Sequence, residues 1–248
     1  VWYRNAKTGV WVSMGSPATL VASGDIDGDH TADLIGVWSS GLWVKYSKTK
    51  TWAKLSSNLP TGLASGDMNG DGRDDVVGSF ASGVWYRNSA TGSWVLMSSS
   101  PSSKIAAGDI DGDNKDDLIG AWATGVWVKN SSNSSWTKIS ANLPTDLAGG
   151  DMSGDGRVDV LGSWSSGVYY RNSATGSWVL MSSSPSTLVA AGDMDNDSTD
   201  DLFGVFSSGV WVKKSKPSAW VKLSSTLPRD IDAGLYRALD TTGVAGFA

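Results

Sequence analysis

The residues of this chain best able to do chemistry are aspartates on alternate positions of a nine-residue segment, first met as Asp25-Ile26-Asp27-Gly28-Asp29-His30-Thr31-Ala32-Asp33. Oxygen-bearing side chains stand at positions 1, 3, 5 and 9, and position 7 offers its backbone carbonyl. A hard cation such as calcium takes six to eight oxygens at ~2.3–2.6 Å, which a tight turn with alternate side chains pointing inward can supply. The expected side-chain ligands are Asp25, Asp27, Asp29 and Asp33, then Asp67, Asn69, Asp71 and Asp75, then Asp109, Asp111, Asp113 and Asp117. They continue with Asp151, Ser153, Asp155 and Asp159, and end with Asp193, Asp195, Asp197 and Asp201, which makes eighteen carboxylates in five sites. Thr31, Arg73, Lys115, Arg157 and Thr199 are the expected carbonyl donors. The neutral hydroxyl of Ser153 weakens the fourth site.

The plainer reading is that Asp and Gly simply favour solvated turns. Against it stands repulsion, because three or four carboxylates converging on one turn repel unless a cation joins them, and the pattern recurs five times. An EF-hand is excluded, since it needs a bidentate Glu at position 12, where Gly36 and its equivalents stand, and flanking helices. Five calcium ions would carry the formal charge from −5 to about +5.

These turns are positioned by a repeat. Their leading aspartates, Asp25, Asp67, Asp109, Asp151 and Asp193, are spaced by 42 residues without drift. Each unit adds a Gly after an apolar pair (Gly36, Gly78, Gly120, Gly162, Gly204), a turn ending at Gly41, Gly83, Gly125, Gly167 or Gly209, and a later Trp (Trp52, Trp94, Trp136, Trp178, Trp220). Within the third unit, four short strands are expected at Lys104–Gly108, Leu118–Trp122, Val126–Asn130 and Trp136–Ser140. That is the content of one propeller blade, and blades must be arrayed to bury their faces. A β-solenoid uses much shorter coils and is the second choice.

Val1-Trp2-Tyr3-Arg4-Asn5 matches Val84–Asn88 in mid-unit, while Asp230–Gly234 and Gly243–Phe247 match the first two strands of a unit. The expectation is therefore an all-β, six-bladed propeller with four-stranded blades, one domain over 1–248, whose sixth blade is split between 1–16 and 229–248. The other blades are placed at 17–58, 59–100, 101–142, 143–184 and 185–228. Closing the ring this way removes exposed sheet edges. Tyr86–Ser102 and Tyr170–Ser186 are identical strings 84 residues apart, so blades alternate between two types.

Third strands supply a second candidate site. Trp85 and Arg87 share one face, as do Trp2/Arg4, Trp43/Lys45, Trp127/Lys129, Tyr169/Arg171 and Trp211/Lys213. An aromatic plate beside a basic donor suits a sugar or acidic-glycan ligand. The alternative is structural, because a recurrent Trp also fills the space between blades with Lys and Arg stems covering it. Both readings stand for this series, and packing is the stronger one for the Trp52 series.

Composition narrows the rest. The chain has no Cys, Glu or Gln and a single His, and it is rich in strand and turn formers. Disulfides and thiolate metal sites are excluded, no apolar run spans a bilayer, and the segment reads as a mature form or an excised domain. Excess acid argues against a nucleic-acid surface unless metal neutralises it. Catalysis has little to work with, since 21 of 25 Asp lie in the five turns and His30 sits at turn position 6. Asp146, Asp230, Asp232 and Asp240 are the only foothold for an enzyme, and none is expected.

The Asp-x-Asp-x-Asp-Gly-x-x-Asp pattern, as in Asp67–Asp75 with Asn69 at the second acidic position, followed by Val76-Val77-Gly78, resembles the FG-GAP or VCBS-type calcium-binding propeller repeats of integrin α-chains and many secreted bacterial proteins. The 42-residue spacing is shorter than in integrin-type repeats, and the Trp content is higher. The resemblance implies a secreted or cell-surface, calcium-dependent module that binds a glycan or an extracellular protein, or an accessory domain of a larger secreted enzyme. The sixth unit departs from it, with Leu235, Arg237, Leu239 and Gly243 at the ligand positions, and no metal is expected there.

Overall fold

The structure, a computed structural model, describes residues 1–5, 8–233 and 243–247. Five four-stranded antiparallel sheets hold their strands in sequence order, and among the described residues there is no helix. The first blade is Leu20–Gly24, Asp33–Trp38, Gly41–Lys45 and Trp52–Ser56. The third is Lys104–Gly108, Asp117–Trp122, Gly125–Lys129 and Trp136–Ser140, within a residue or so of the expected bounds. Innermost strands of successive blades lie side by side around a common axis. The aspartate turns join first to second strands, so all five emerge on one side of the ring.

The blade count differs from expectation: there are five complete four-stranded blades rather than six. The terminal sheet has three strands, Trp11–Ser13, Trp2–Asn5 and Gly243–Phe247, in that order. The two ends of the chain do meet in one sheet, with Tyr3 opposite Ala245 and Arg4 opposite Val244. The expected first strand of that blade is not formed over Asp230–Ala233, and the rest of the segment, including Leu235, Arg237 and Leu239, lies outside the described residues.

Strand register sorts side chains into two faces per blade. In the first blade Leu34 stands opposite Lys45 and Gly36 opposite Trp43, while Ile35 pairs with Val44. The Ile35 face joins Val37, Leu42 and Val44 in a core that Val76 of the next blade completes. The Leu34 face packs against Val1, which leads into the terminal sheet, and Ala18, in the segment before the first blade. Each blade is thus welded to both neighbours by aliphatic layers, with Ile35, Leu118, Ile119, Leu161 and Leu202 fully buried. The recurrent Gly of the second strand has a steric cause. A Cβ on Gly120 would lie 2.5 Å from the ring of Trp122, which folds back across it, and Gly36 under Trp38 repeats the arrangement at 2.4 Å.

Acid adds to this closure on the inner side of the ring. Asp230 accepts a 2.8 Å hydrogen bond from the backbone N–H of Val21, and Asp232 accepts one from the Ser23 hydroxyl. The homologous Asp146 does the same between blades four and five, bonding Val189 N–H at 2.9 Å and pairing with Lys104 at 2.9 Å. These groups line an axial cavity of about 210 Å³. Burial pushes the Asp230 carboxyl up to about 7, against the Val21 hydrogen bond and with help from the charges of Asp146 and Asp232. Because the folded pKa lies above that of an ordinary carboxylate, the folded state holds the proton more tightly, and the stability it contributes is lost as pH rises from about 4 through about 7. Asp230→Asn keeps an acceptor for Val21 and cannot titrate. Its melting temperature, followed by circular dichroism in saturating calcium, should vary less between pH 5 and 8 than that of the unmodified protein, and an unchanged pH profile would refute the assignment.

Candidate functional site

The aspartate turns share one geometry. Asp25 at position 1 is a hub that accepts N–H groups from Gly28 at 2.8 Å, Asp29 at 3.0 Å and His30 at 2.7 Å. Position 6 must be left-handed to reach it, with φ of 65° at His30, 65° at Asn114 and 66° at Ser198, and Gly at 72 and 156. This is the role of the lone histidine, whose side chain is 92% exposed. Asp29 turns back to accept Thr31 N–H at 2.9 Å. Asp33 at position 9 is fully buried and accepts Ser47 N–H at 2.7 Å.

The structure brings the expected ligands together most tightly in three turns. Oxygens of Asp25, Asp27 and Asp29, of Asp109, Asp111 and Asp113, and of Asp193, Asp195 and Asp197 lie within 4.8 Å of one another. The other two turns carry the neutral third residue. Asn69 donates to Asp75 at 3.0 Å and Ser153 stands against Asp159, whereas Asp195 Oδ1 in the fifth turn is buried without a partner. Burial raises the position-9 carboxyls to about 7 at Asp33, Asp75 and Asp117 and to about 6 at Asp159 and Asp201, and the other carboxylates of each turn push the same way. An orphaned buried oxygen at Asp195, an all-oxygen donor set and raised carboxyls fit a hard divalent cation, whose charge would favour the ionised forms.

Two recurrent contacts were not anticipated. A serine opening the hairpin between third and fourth strands fastens each turn: Ser89 N–H bonds Asp75 at 2.8 Å and its hydroxyl bonds Asp74 O at 2.6 Å, and Ser47, Ser131 and Ser173 do likewise. Its recurrence at the repeat period was visible, but no ligand role drew attention to it. Asp74, Asp116 and Asp200, at turn position 8, point away from their own turns and bond the preceding blade.

The third-strand aromatics divide by blade type. In the first blade Trp43 stands opposite Lys54 and Lys45 opposite Trp52, so each ammonium covers the cross-strand indole, at 5.8 and 5.5 Å from the ring centre. Lys129 with Trp136, Lys138 with Trp127, Lys213 with Trp220 and Lys222 with Trp211 repeat this. Lys45, Lys129 and Lys213 also donate to the carbonyls of Met14, Met97 and Met181 in the preceding sheet, at 3.2, 2.8 and 2.7 Å. These three lysines therefore staple blades. In the alternate blades Arg87 and Arg171 instead lie against Gly92 and Gly176 of their hairpins and make no hydrogen bond or ion pair to a described residue. Trp85 and Tyr169 are half-buried and stand opposite Leu96 and Leu180, and Trp2 is 48% exposed. The Trp52 series packs edge-on to second-strand rings, as Trp38 with Trp52 at 5.2 Å and Trp122 with Trp136 at 5.1 Å.

Known proteins with this architecture are diverse. No curated protein matches the chain. Among solved structures it is similar to an Agrocybe aegerita lectin that recognises non-reducing terminal N-acetylglucosamine, at 16% identity and a TM-score of 0.54 over 82% of this chain and 64% of that one. It is also similar to the extracellular domain of a two component system protein from B. thetaiotaomicron, at 10% identity and a TM-score of 0.60 over 100% of this chain and 34% of that one. A chain of a nidogen/laminin complex is similar at 9% identity and a TM-score of 0.54, covering 86% and 81%. The chain thus spans less than two thirds of the first two, and at such identities the likeness is one of fold. Residues 67–120, from one aspartate turn through the next, match the FG-GAP-like repeat. The same turn and the same four-stranded sheet recur around the ring, so the chain is a β-propeller that carries an FG-GAP-like repeat.

Proposed function

We propose that this propeller is an extracellular, non-catalytic binding module, held in shape by calcium in its aspartate turns and recognising glycans through the third-strand aromatic and arginine of alternate blades. The observation that carries the glycan reading is the contrast between blade types: the lysines beside Trp43, Trp127 and Trp211 are engaged by backbone carbonyls, whereas Arg87 beside Trp85 and Arg171 beside Tyr169 have no such partner among described residues. A guanidinium beside an aromatic face can orient hydroxyls or carboxylates of a stacked sugar. The five turns supply the oxygen ligands named above, with the role of Arg73, Lys115 and Arg157 confined to their carbonyls. The lectin similarity makes terminal N-acetylglucosamine the first sugar to test.

A glycan array with intact protein, Trp85→Ala and Arg87→Ala decides the matter. Binding lost by at least about tenfold in both variants, each with an unchanged melting temperature, supports the reading, since a buried charge-assisted contact contributes roughly 1.5–3 kcal/mol. No glycan bound by the intact protein sinks it. A protein ligand is the second reading, favoured by Leu96 and Leu180, 45% and 51% exposed on the outer strands of the same blades.

A further inference from the structure

We infer that the five aspartate turns do not load cations independently but in two coupled blocks, the turns at 25–33, 67–75 and 109–117 forming one and those at 151–159 and 193–201 the other. The inference rests on the cation reading above and adds a coupling that no ligand residue provides.

The coupling runs through turn position 8. Asp74 N–H donates to Asp25 O at 2.9 Å while Asp25 N–H donates to the Asp74 carboxylate at 2.7 Å, so a residue of the second turn grips the hub of the first by both backbone groups. Asp116 grips Asp67 identically at 2.9 and 2.8 Å, and Asp200 grips Asp151 at 2.9 and 2.8 Å. The neighbouring position 7 leans the same way at every junction, with Arg73 across Gly28, Lys115 across Gly70, Arg157 across Gly112 and Thr199 across Gly154, so the junctions differ at position 8 alone. Contact is close enough to demand glycine just before each hub: a Cβ on Gly66 would lie 2.3 Å from the Asp116 carboxylate.

Position 8 lies between two groups that face the cation, the position-7 carbonyl and the position-9 carboxylate. Ordering those two by a cation also orders the residue between them, and with it the hub of the preceding turn. Linkage makes the effect reciprocal. One junction lacks the carboxylate half of the grip. Val158 keeps the backbone bond to Asp109 O at 2.8 Å, but its side chain cannot accept the Asp109 N–H. The first turn ends the series, because Ala32 at its position 8 packs against Met14 and carries no acceptor.

Two substitutions outside the ligand set test this. Asp116→Val copies the natural break into the first block, and Val158→Asp installs the missing grip between blocks. Calcium is titrated calorimetrically into chelator-treated intact protein and each variant, with bound ions counted separately by equilibrium dialysis. The unmodified protein should load in two cooperative steps. Asp116→Val should weaken loading of the 25–33 and 67–75 turns by a factor in the range of about 5 to 150, typical of coupled sites. Val158→Asp should merge the two steps, and it decides the question even if Asp116→Val does not fold. Five ions bound with superimposable, non-cooperative isotherms in all three proteins would overturn the coupling and leave the cation reading intact. No ions bound would overturn both.

Discussion

Chelation should lower the melting temperature of this protein by more than about 20 °C. Each occupied site stabilises the folded chain by about 2.7 kcal/mol when free calcium stands a hundredfold above the dissociation constant. In a domain of this size about 1 kcal/mol moves the melting temperature by roughly 2–4 °C, so even three or four filled sites reach that figure. The physical source is local: Asp33, Asp75, Asp117, Asp159 and Asp201 are buried to within 1% of fully and surrounded by like charge, so without a cation the turns resist their folded geometry. Differential scanning calorimetry in excess calcium and then in excess EDTA measures the difference. Curves that coincide would remove the structural role of the metal.

The second large effect should come from Phe203→Ala. Phe203 is the largest fully buried side chain among the described residues, 2% exposed, in a cluster with Ala190, Val205, Val210, Val212 and Ile231. Truncating a core Phe costs about 3–5 kcal/mol, part lost transfer and part cavity. Ile231 belongs to the segment that follows the last complete blade, so the cavity would loosen the join between that blade and the closing acids Asp230 and Asp232 as well as the blade itself. Denaturant unfolding should show a lower midpoint, by that energy, with an unchanged slope. A loss under about 1 kcal/mol would mean that the closing segment does not rely on this core.

The two effects share an origin in the way this fold divides its work. Aliphatic layers between blades resist shear, while the turns on one rim carry charge that must be neutralised. A chain without cysteine has no covalent staple for that rim, and in the reading proposed above a cation shared among the oxygens of one turn would take its place. Alternation of blade type leaves the basic residue of the third strand engaged in some blades and not in others. Where Lys45, Lys129 and Lys213 hold neighbouring sheets together, the intervening Arg87 and Arg171 are left to other uses.

Much of this was legible before any coordinates. A period of 42 residues with no drift dictated repeated units, and alternating Asp with Gly dictated tight acidic turns, because short-range stereochemistry brings the side chains of positions 1, 3 and 5 together. Strand bounds followed for the same reason: turn residues and alternating apolar residues are local signals. Contacts between units were another matter. That Lys45 covers Trp52 rather than Trp43 depends on cross-strand register, and that Asp74 serves the turn before its own depends on how neighbouring blades stack. The sixth blade shows the limit most clearly. Similarity to a strand over Asp230–Gly234 suggested a four-stranded sheet, yet no strand forms over Asp230–Ala233, where Asp230 and Asp232 bond Val21 and Ser23 through their side chains, and three strands stand where the chain ends meet. Local patterns decide what each unit is, and only packing decides which partner each polar group finds.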